Sequence, residues 1–318
     1  MFLPALIIAV LIICLYWALR LRSAPAGTRR SMSIFVLLLV FATAGVLACL
    51  DSLNRSNYGE NQTPILIVMA TDLSLSMGAV PDPHSRGKVP TRLKRAKKVV
   101  LSILNGIDAA GASMMMGITG FTAKSETILA WDDNISQLDE VINYVLTPGL
   151  LTEPGSDLGE ALAGAVPLFD NLPQEYRKRD TKKYLILVSD GEETVKKGDI
   201  SKALGELRTR GVNIIALQAG LFDTPEGLPV YDELGRFQGF DEIAGQIYTV
   251  PDAKTMKLVS GNDAGKGLYV RAEDPGAAKK MSRFMGVKVA ADLSSSPLYV
   301  ALVLLLLVLS IAMLLAFE

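Results

Sequence analysis

The chain has 318 residues, half of them apolar and only 20% charged, with a mean hydropathy of +0.32. That composition excludes a disordered protein, and a net charge of −1 gives no global attraction to nucleic acid. One histidine and two cysteines leave too few ligands for an ordinary zinc site.

Three uncharged stretches carry the apolar excess: residues 2–19, 31–50 and 297–317. A spanning helix needs about 20 apolar residues, so each stretch predicts a transmembrane helix. Both cysteines, Cys14 and Cys49, fall inside these stretches, and no disulfide is expected in the soluble region. The first stretch lacks a basic leader. Its arginines follow it, as in a retained helix and unlike a cleaved signal. Arg20, Arg22, Arg29 and Arg30 make 20–30 a cytoplasmic loop. The expected order is span, cytoplasmic loop, span, linker 51–62, an outward-facing domain at 63–286, linker 287–296 and a third span. No Asp, Glu, Lys, Arg or His lies within the spans, so they read as anchors and not as a transport path.

Residues 51–296 hold 28 bases and 32 acids, a mildly acidic globular region. Residues 64–71 form a continuous apolar run, as expected of a buried parallel strand. Residues 90–107 then place Leu93, Ala96, Val100, Ile103, Leu104 and Ile107 on one helical face. Arg92, Lys94, Arg95, Lys97 and Lys98 are expected on the opposite, solvated face. Residues 114–121 and 127–131 read as strands, with Met114, Met115, Met116, Phe121 and Trp131 in the core. Ser136 is the expected cap of the next helix. A further helix is predicted over 156–169, bent at Pro167. A second buried strand follows at 183–189 and a helix at 199–210, stopped by Gly211. A third buried strand covers 212–218. Asp252 and Gly261 bracket a short helix, 267–271 is the last strand, and Asp274-Pro275 opens the last helix. This alternation predicts an α/β fold with a doubly wound, mostly parallel sheet and helices on both faces. Such sheets place their sites beyond the C-terminal strand ends.

Two of those ends carry aspartate. The first buried strand runs into Asp72-x-Ser74-x-Ser76, three oxygen donors on one turn. The second runs into Ser189-Asp190-Gly191. Between them, Gly155-Ser156-Asp157-Leu158-Gly159 sets a hydroxyl at a glycine-flanked helix start. Hard divalent cations take oxygen ligands, and waters plus an open position would complete such a shell. Glu153, Asp157, Glu192 and Glu193 surround this group and read as solvated loop residues. His84 lies in a nearby loop and reads as exposed.

These residues resemble the von Willebrand factor A (VWA) domain and its metal-ion-dependent adhesion site, over roughly residues 63–273. The resemblance implies a Rossmann-like fold and a site made of Asp72, Ser74, Ser76, Ser156 and Asp190. It implies Mg²⁺, or Mn²⁺ or Ca²⁺, with hydroxyls as direct ligands and the aspartates acting largely through water. Ser156 stands where the family has threonine, which keeps the hydroxyl and drops the methyl. A partner protein's acidic side chain is then expected at the open position. Two short N-terminal spans, an A domain and one C-terminal span also resemble the bacterial aerotolerance-operon (Bat-type) membrane proteins and their relatives of methanol-oxidation operons. Residues 224–239 look like their late insertion. That likeness implies a bacterial inner (cell) membrane location and a role in assembling or protecting envelope proteins; with the arginine loop inside, the domain is expected on the periplasmic or extracellular side. The same likeness implies a MoxR-type AAA+ ATPase or sibling VWA proteins as partners.

The expected function is therefore metal-dependent protein binding and not catalysis. Two alternatives stay open. One is a structural scaffold with a vestigial metal site. The other is a metal-dependent hydrolase, for which Glu153, Asp157 or His84 would have to serve as base.

Overall fold

A computed structural model describes residues 63–177, 180–243, 245–261 and 267–287. The three expected spans and the loop between the first two lie outside these residues. Among the described residues no helix is long and apolar enough to cross a membrane.

The domain is built on a six-stranded sheet. Its members are β1 (Ile65–Asp72), β3 (Met114–Phe121), β4 (Ser125–Asp132), β5 (Lys182–Ser189), β6 (Val212–Gln218) and β9 (Gly267–Arg271). They lie in the order β4-β3-β1-β5-β6-β9. All pair in parallel except the edge strand β4, which returns antiparallel on β3. The chain leaves β1 toward β3 on one side and later enters β5 on the other. The seam between β1 and β5 is therefore the switch point where doubly wound sheets bind ligands.

Alternation along β1 explains the layers. Ile65, Ile67 and Met69 point to one core and Val68 and Ala70 to the other. The first core is closed by α2 (Arg92–Ala109), α3 (Ile135–Glu140) with the π-turn Val141–Val145, and α7 (Ala277–Phe284). The second is closed by α4 (Leu158–Asp170), α5 (Ile200–Thr209) and α6 (Ala253–Ser260). Burial on both faces is why β1, β3 and the ends of β5 and β6 read as unbroken apolar runs. Outside this sheet, β2 (Val80–Pro81), β7 (Glu226–Tyr231) and β8 (Phe237–Asp241) make a small antiparallel sheet. Its β7 and β8 overlap residues 224–239, the segment that the resemblance reads as an insertion, and β2 joins them from the first loop. His84 is exposed on α1 (Pro83–Arg86) and meets the Phe237 ring edge-on, 5.6 Å between centroids.

Several local expectations are corrected. Arg92 and Lys97 are buried, whereas Lys94 and Lys98 are exposed as expected. Arg92 is four residues before Ala96, and Lys97 four after Leu93, so both fall on the apolar stripe. The cap of α3 is Asn134 and not Ser136: its Oδ1 accepts from Ser136 N at 3.0 Å. Helix α4 starts at Leu158 with Asp157 as its cap. Asp157 is wholly buried, accepting from the backbone N–H groups of Glu160, Lys197 and Gly198, so it is no solvated loop residue. The last helix begins at Ala277 after Gly276, because Asp274-Pro275 forms a turn before it. Asp252 and Gly261 do bracket α6, and the three methionines of β3 are core.

Candidate functional site

Asp72 is the last residue of β1, and the neighbouring β5 ends at Ser189. Parallel pairing across the seam brings the two ends together. Ser189 Oγ donates to Asp72 Oδ2 at 2.7 Å. Ser156 Oγ donates to the same oxygen at 3.0 Å. The other oxygen, Oδ1, accepts from Ser74 N at 3.0 Å, which folds the chain back over the strand end. Ser74 then starts the 3₁₀ turn Leu75–Gly78 and sets its Oγ 3.1 Å from that of Ser76. Asp72, Ser74, Ser76 and Ser156 therefore form one cluster, as the sequence motif requires.

Ser156 is held by its surroundings. Its N–H donates to Thr194 Oγ1 at 2.9 Å, and its carbonyl accepts from Thr194 N and Val195 N. Gly155 before it sits at φ +101°, and a Cβ there would lie 2.6 Å from Val195 Cγ2. Glycine is needed at that position for both reasons.

Asp190 joins the cluster through charge. Burial, then repulsion from Asp190, raises the Asp72 pKa from 3.8 to about 7, against the opposing hydrogen bonds of Ser74 and Ser189. Asp190 itself is committed to other partners. Its Oδ2 accepts from Arg92 Nη1 at 2.7 Å and its Oδ1 from Glu192 N at 3.1 Å. Arg92 also donates to Glu226 Oε2 at 2.7 Å and to the Thr249 carbonyl at 2.9 Å. Burial works against the Arg92 charge, but Asp190 and Glu226 outweigh it and raise its pKa. Arg95 binds Glu226 Oε1 at 2.6 Å and Glu273 Oε1 at 2.8 Å. The β7 strand of the insertion is thus tied to the Asp190 carboxylate through one guanidinium.

Sequence reasoning missed the roles of three residues: Ser189, Arg92 and Glu226. Ser189 was visible as the strand-end neighbour of Asp190. Arg92 was visible on the apolar stripe of its helix. Glu226 left no signal, because the insertion has no periodicity to read.

Above the cluster lies a cleft of about 860 Å³. Ser74, Ser76 and Ser156 line it, while Glu153, Glu192 and Glu193 stand at its edge. Among the described residues the five expected site members meet at the β1–β5 seam. They offer an all-oxygen set of the kind hard divalent cations take.

Fold and strand-end cluster together define a doubly wound α/β domain with an oxygen-rich cluster at the switch point. The family is shown by sequence: residues 67–261, more than half the chain, match the model for the von Willebrand factor type A domain, and the chain belongs to that family. No curated protein matches it. Among solved structures it is similar to BatB from Bacteroides thetaiotaomicron, with 22% identity, a TM-score of 0.55, and 70% of this chain and 97% of that one covered. It is also similar to an aerotolerance-related membrane protein from Bacteroides fragilis NCTC 9343, with 21% identity, a TM-score of 0.55, and coverage of 70% and 98%. At these identities the likeness shows the fold.

Proposed function

We propose that this chain is a membrane-anchored VWA domain that captures a protein partner through a divalent cation. Asp72, Ser74, Ser76, Ser156 and Asp190 would hold the cation, Mg²⁺ or else Mn²⁺ or Ca²⁺. The observation that carries this reading is the state of Asp72. It is wholly buried beside a second carboxylate, gathers hydroxyl and N–H donors, and has no basic partner among the described residues. A hard cation is the charge that such a site lacks.

When bound, the cation would supply an open coordination position for a carboxylate of the partner. The chain's own residues do the rest. Ser189 and the Ser74 N–H orient Asp72. Arg92 orients and balances Asp190, so only one of the two carboxylates is left without a counter-charge. The hydroxyls of Ser74, Ser76 and Ser156 stand ready as neutral ligands. Ligands without net charge keep the cation electron-poor, which favours an acidic side chain from outside.

The three uncharged stretches support anchoring in a bacterial inner membrane with the domain on the periplasmic side. The likeness to an aerotolerance-related membrane protein is in keeping with a role in assembling or protecting envelope proteins. A MoxR-type ATPase or sibling VWA proteins are the partners this reading names.

The test is calorimetric titration of Mg²⁺ and Mn²⁺ into the full-length chain in detergent, wild type beside Asp72→Ala. Saturable binding that disappears in the variant is the expected result. No binding by a folded wild-type chain would overturn the metal reading in favour of a scaffold.

A further inference from the structure

The cleft above the strand-end cluster has an apolar part of its lining, made by Leu73, Leu75, Leu151 and Ile243, with Leu73 buried and Leu75 half exposed. Its rim carries Glu153, Glu192, Glu193, Glu242 and Asp252, and no lysine, arginine or histidine is among the residues that line it. Lys124 pairs with Glu153 from outside, and Lys196 lies 4.0 Å from Glu193. Glu192, Glu242 and Asp252 form no ion pair among the described residues. A second observation is independent of charge. Thr122 and Thr249 line the same cleft and are only 2% and 4% exposed, yet their Oγ1 hydroxyls have no hydrogen-bond partner among the described residues. Leaving a buried hydroxyl unmade costs about 1–3 kcal/mol. Both oxygens are closed off from the cleft as the side chains stand, so a χ1 turn of each threonine would bring its hydroxyl to an occupant's backbone amides and carbonyls.

The charge decides what the occupant is. A partner reaching a metal with a carboxylate must enter past the rim acids, and like charges across an interface disfavour the pairing. A uniformly acidic segment is therefore a poor fit. Lysine and arginine fit both features, since their stems lie on apolar surface while their heads reach carboxylates. We propose that the cleft takes an extended partner segment in which a single carboxylate is flanked by basic residues. This rests on the reading that the same face binds a protein partner through a metal.

The test uses the full-length chain in detergent and two fluorescent peptides. Both carry a central aspartate between valines; one ends in lysines and the other in glutamates. Binding is read by anisotropy at physiological ionic strength, with Mg²⁺ and again with EDTA. The lysine peptide should bind at least about tenfold tighter than the glutamate peptide. The triple variant Glu192→Gln, Glu193→Gln, Glu242→Gln, checked for folding by circular dichroism, should bring that ratio close to one. Thr122→Val should weaken the lysine peptide severalfold while raising the melting temperature of the free chain. Equal affinities, tighter binding of the glutamate peptide, or a lysine preference that survives in the triple variant would each overturn the proposal. The metal reading fails separately: EDTA would then leave both peptides unaffected and the Mg²⁺ titration would be flat, while the lysine preference persisted.

Discussion

Arg92 Nη1 donates to Asp190 Oδ2 at 2.7 Å, and neither side chain has any exposed surface. The same guanidinium holds Glu226, on the insertion that follows β6. A residue of the first long helix thereby links a strand-end aspartate to the β7–β8 hairpin. Buried ion pairs add little net stability over an apolar replacement, but breaking one leaves a charge stranded.

Arg92→Met is therefore expected to destabilise the domain by roughly 3–5 kcal/mol. Asp190 loses its only basic partner among the described residues, while Glu226 keeps Arg95. Adding Asp190→Asn to Arg92→Met should recover part of the loss, because the stranded acid is then neutral. A double-mutant cycle by thermal melting measures this coupling, and additive losses would show that Arg92 and Asp190 do not act as a pair.

Asp72 makes stability depend on pH. Its folded pKa of about 7 lies above the unfolded 3.8. Between those values the folded chain holds a proton that the unfolded chain has released, so metal-free stability falls as pH rises through this window. Every tenfold difference in proton affinity between the two states corresponds to roughly 1.4 kcal/mol. Asp72→Asn should flatten the slope. Proton and cation compete for the same carboxylate, so Mg²⁺ affinity should climb up to about pH 7 and then level off. Melting curves and titrations from about pH 5 to about pH 8 check both trends. A metal-free melting temperature that rises across the window would contradict this account.

The parts of the fold carried by apolar runs were legible. Strands β3, β6 and β9 begin and end where the sequence reading puts them; β3 is buried throughout and β6 nearly so, while β9 is only partly buried and is bounded by the glycine at its start. The grouping of Asp72, Ser74, Ser76, Ser156 and Asp190 at the strand ends was legible too, because hydroxyls and acids placed just after buried strands are a local pattern; their role as metal ligands belongs to the proposal. What was not legible is pairing between distant segments. Arg92 meets Asp190 and Glu226, 98 and 134 residues away, and helical periodicity reveals only that Arg92 faces inward. Caps were misplaced by a residue or two, since Asn134 and Ser136 both suit the role and only the backbone path chooses.

Ser189→Ala tests the support beneath Asp72. The hydroxyl donates to Asp72 at 2.7 Å and accepts from Gly191 N at 3.0 Å. Its loss should cost about 1–2 kcal/mol of stability. It should also raise the Asp72 pKa further, because a bond that favours the ionised form is gone. Mg²⁺ binding at neutral pH should weaken, and Ser189→Thr should restore it. A merely structural serine would change the melting temperature without moving the pH profile of metal binding.

Gly159 lets the first turn of α4 touch the segment ahead of α5. A Cβ there would lie 2.3 Å from the Gly198 carbonyl carbon and 2.5 Å from its oxygen, both backbone atoms. Neither side can retreat easily. Asp157 pins them together by accepting from Lys197 N at 2.7 Å and Gly198 N at 2.9 Å while capping α4 through Glu160 N. Gly159→Ala should therefore cost about 1–3 kcal/mol, the usual range for overpacking. Ser156 is three residues upstream, in the loop that leads into α4, so displacement of α4 should also lower Mn²⁺ affinity. Gly205 offers the contrast. It lies inside α5, where an added Cβ would meet nothing within 4 Å. Gly205→Ala should stabilise by about 0.5–1 kcal/mol through backbone entropy alone and leave Mn²⁺ binding unchanged. Melting temperatures and Mn²⁺ titrations of the two variants, side by side, separate a packing effect at the site from a general effect of glycine.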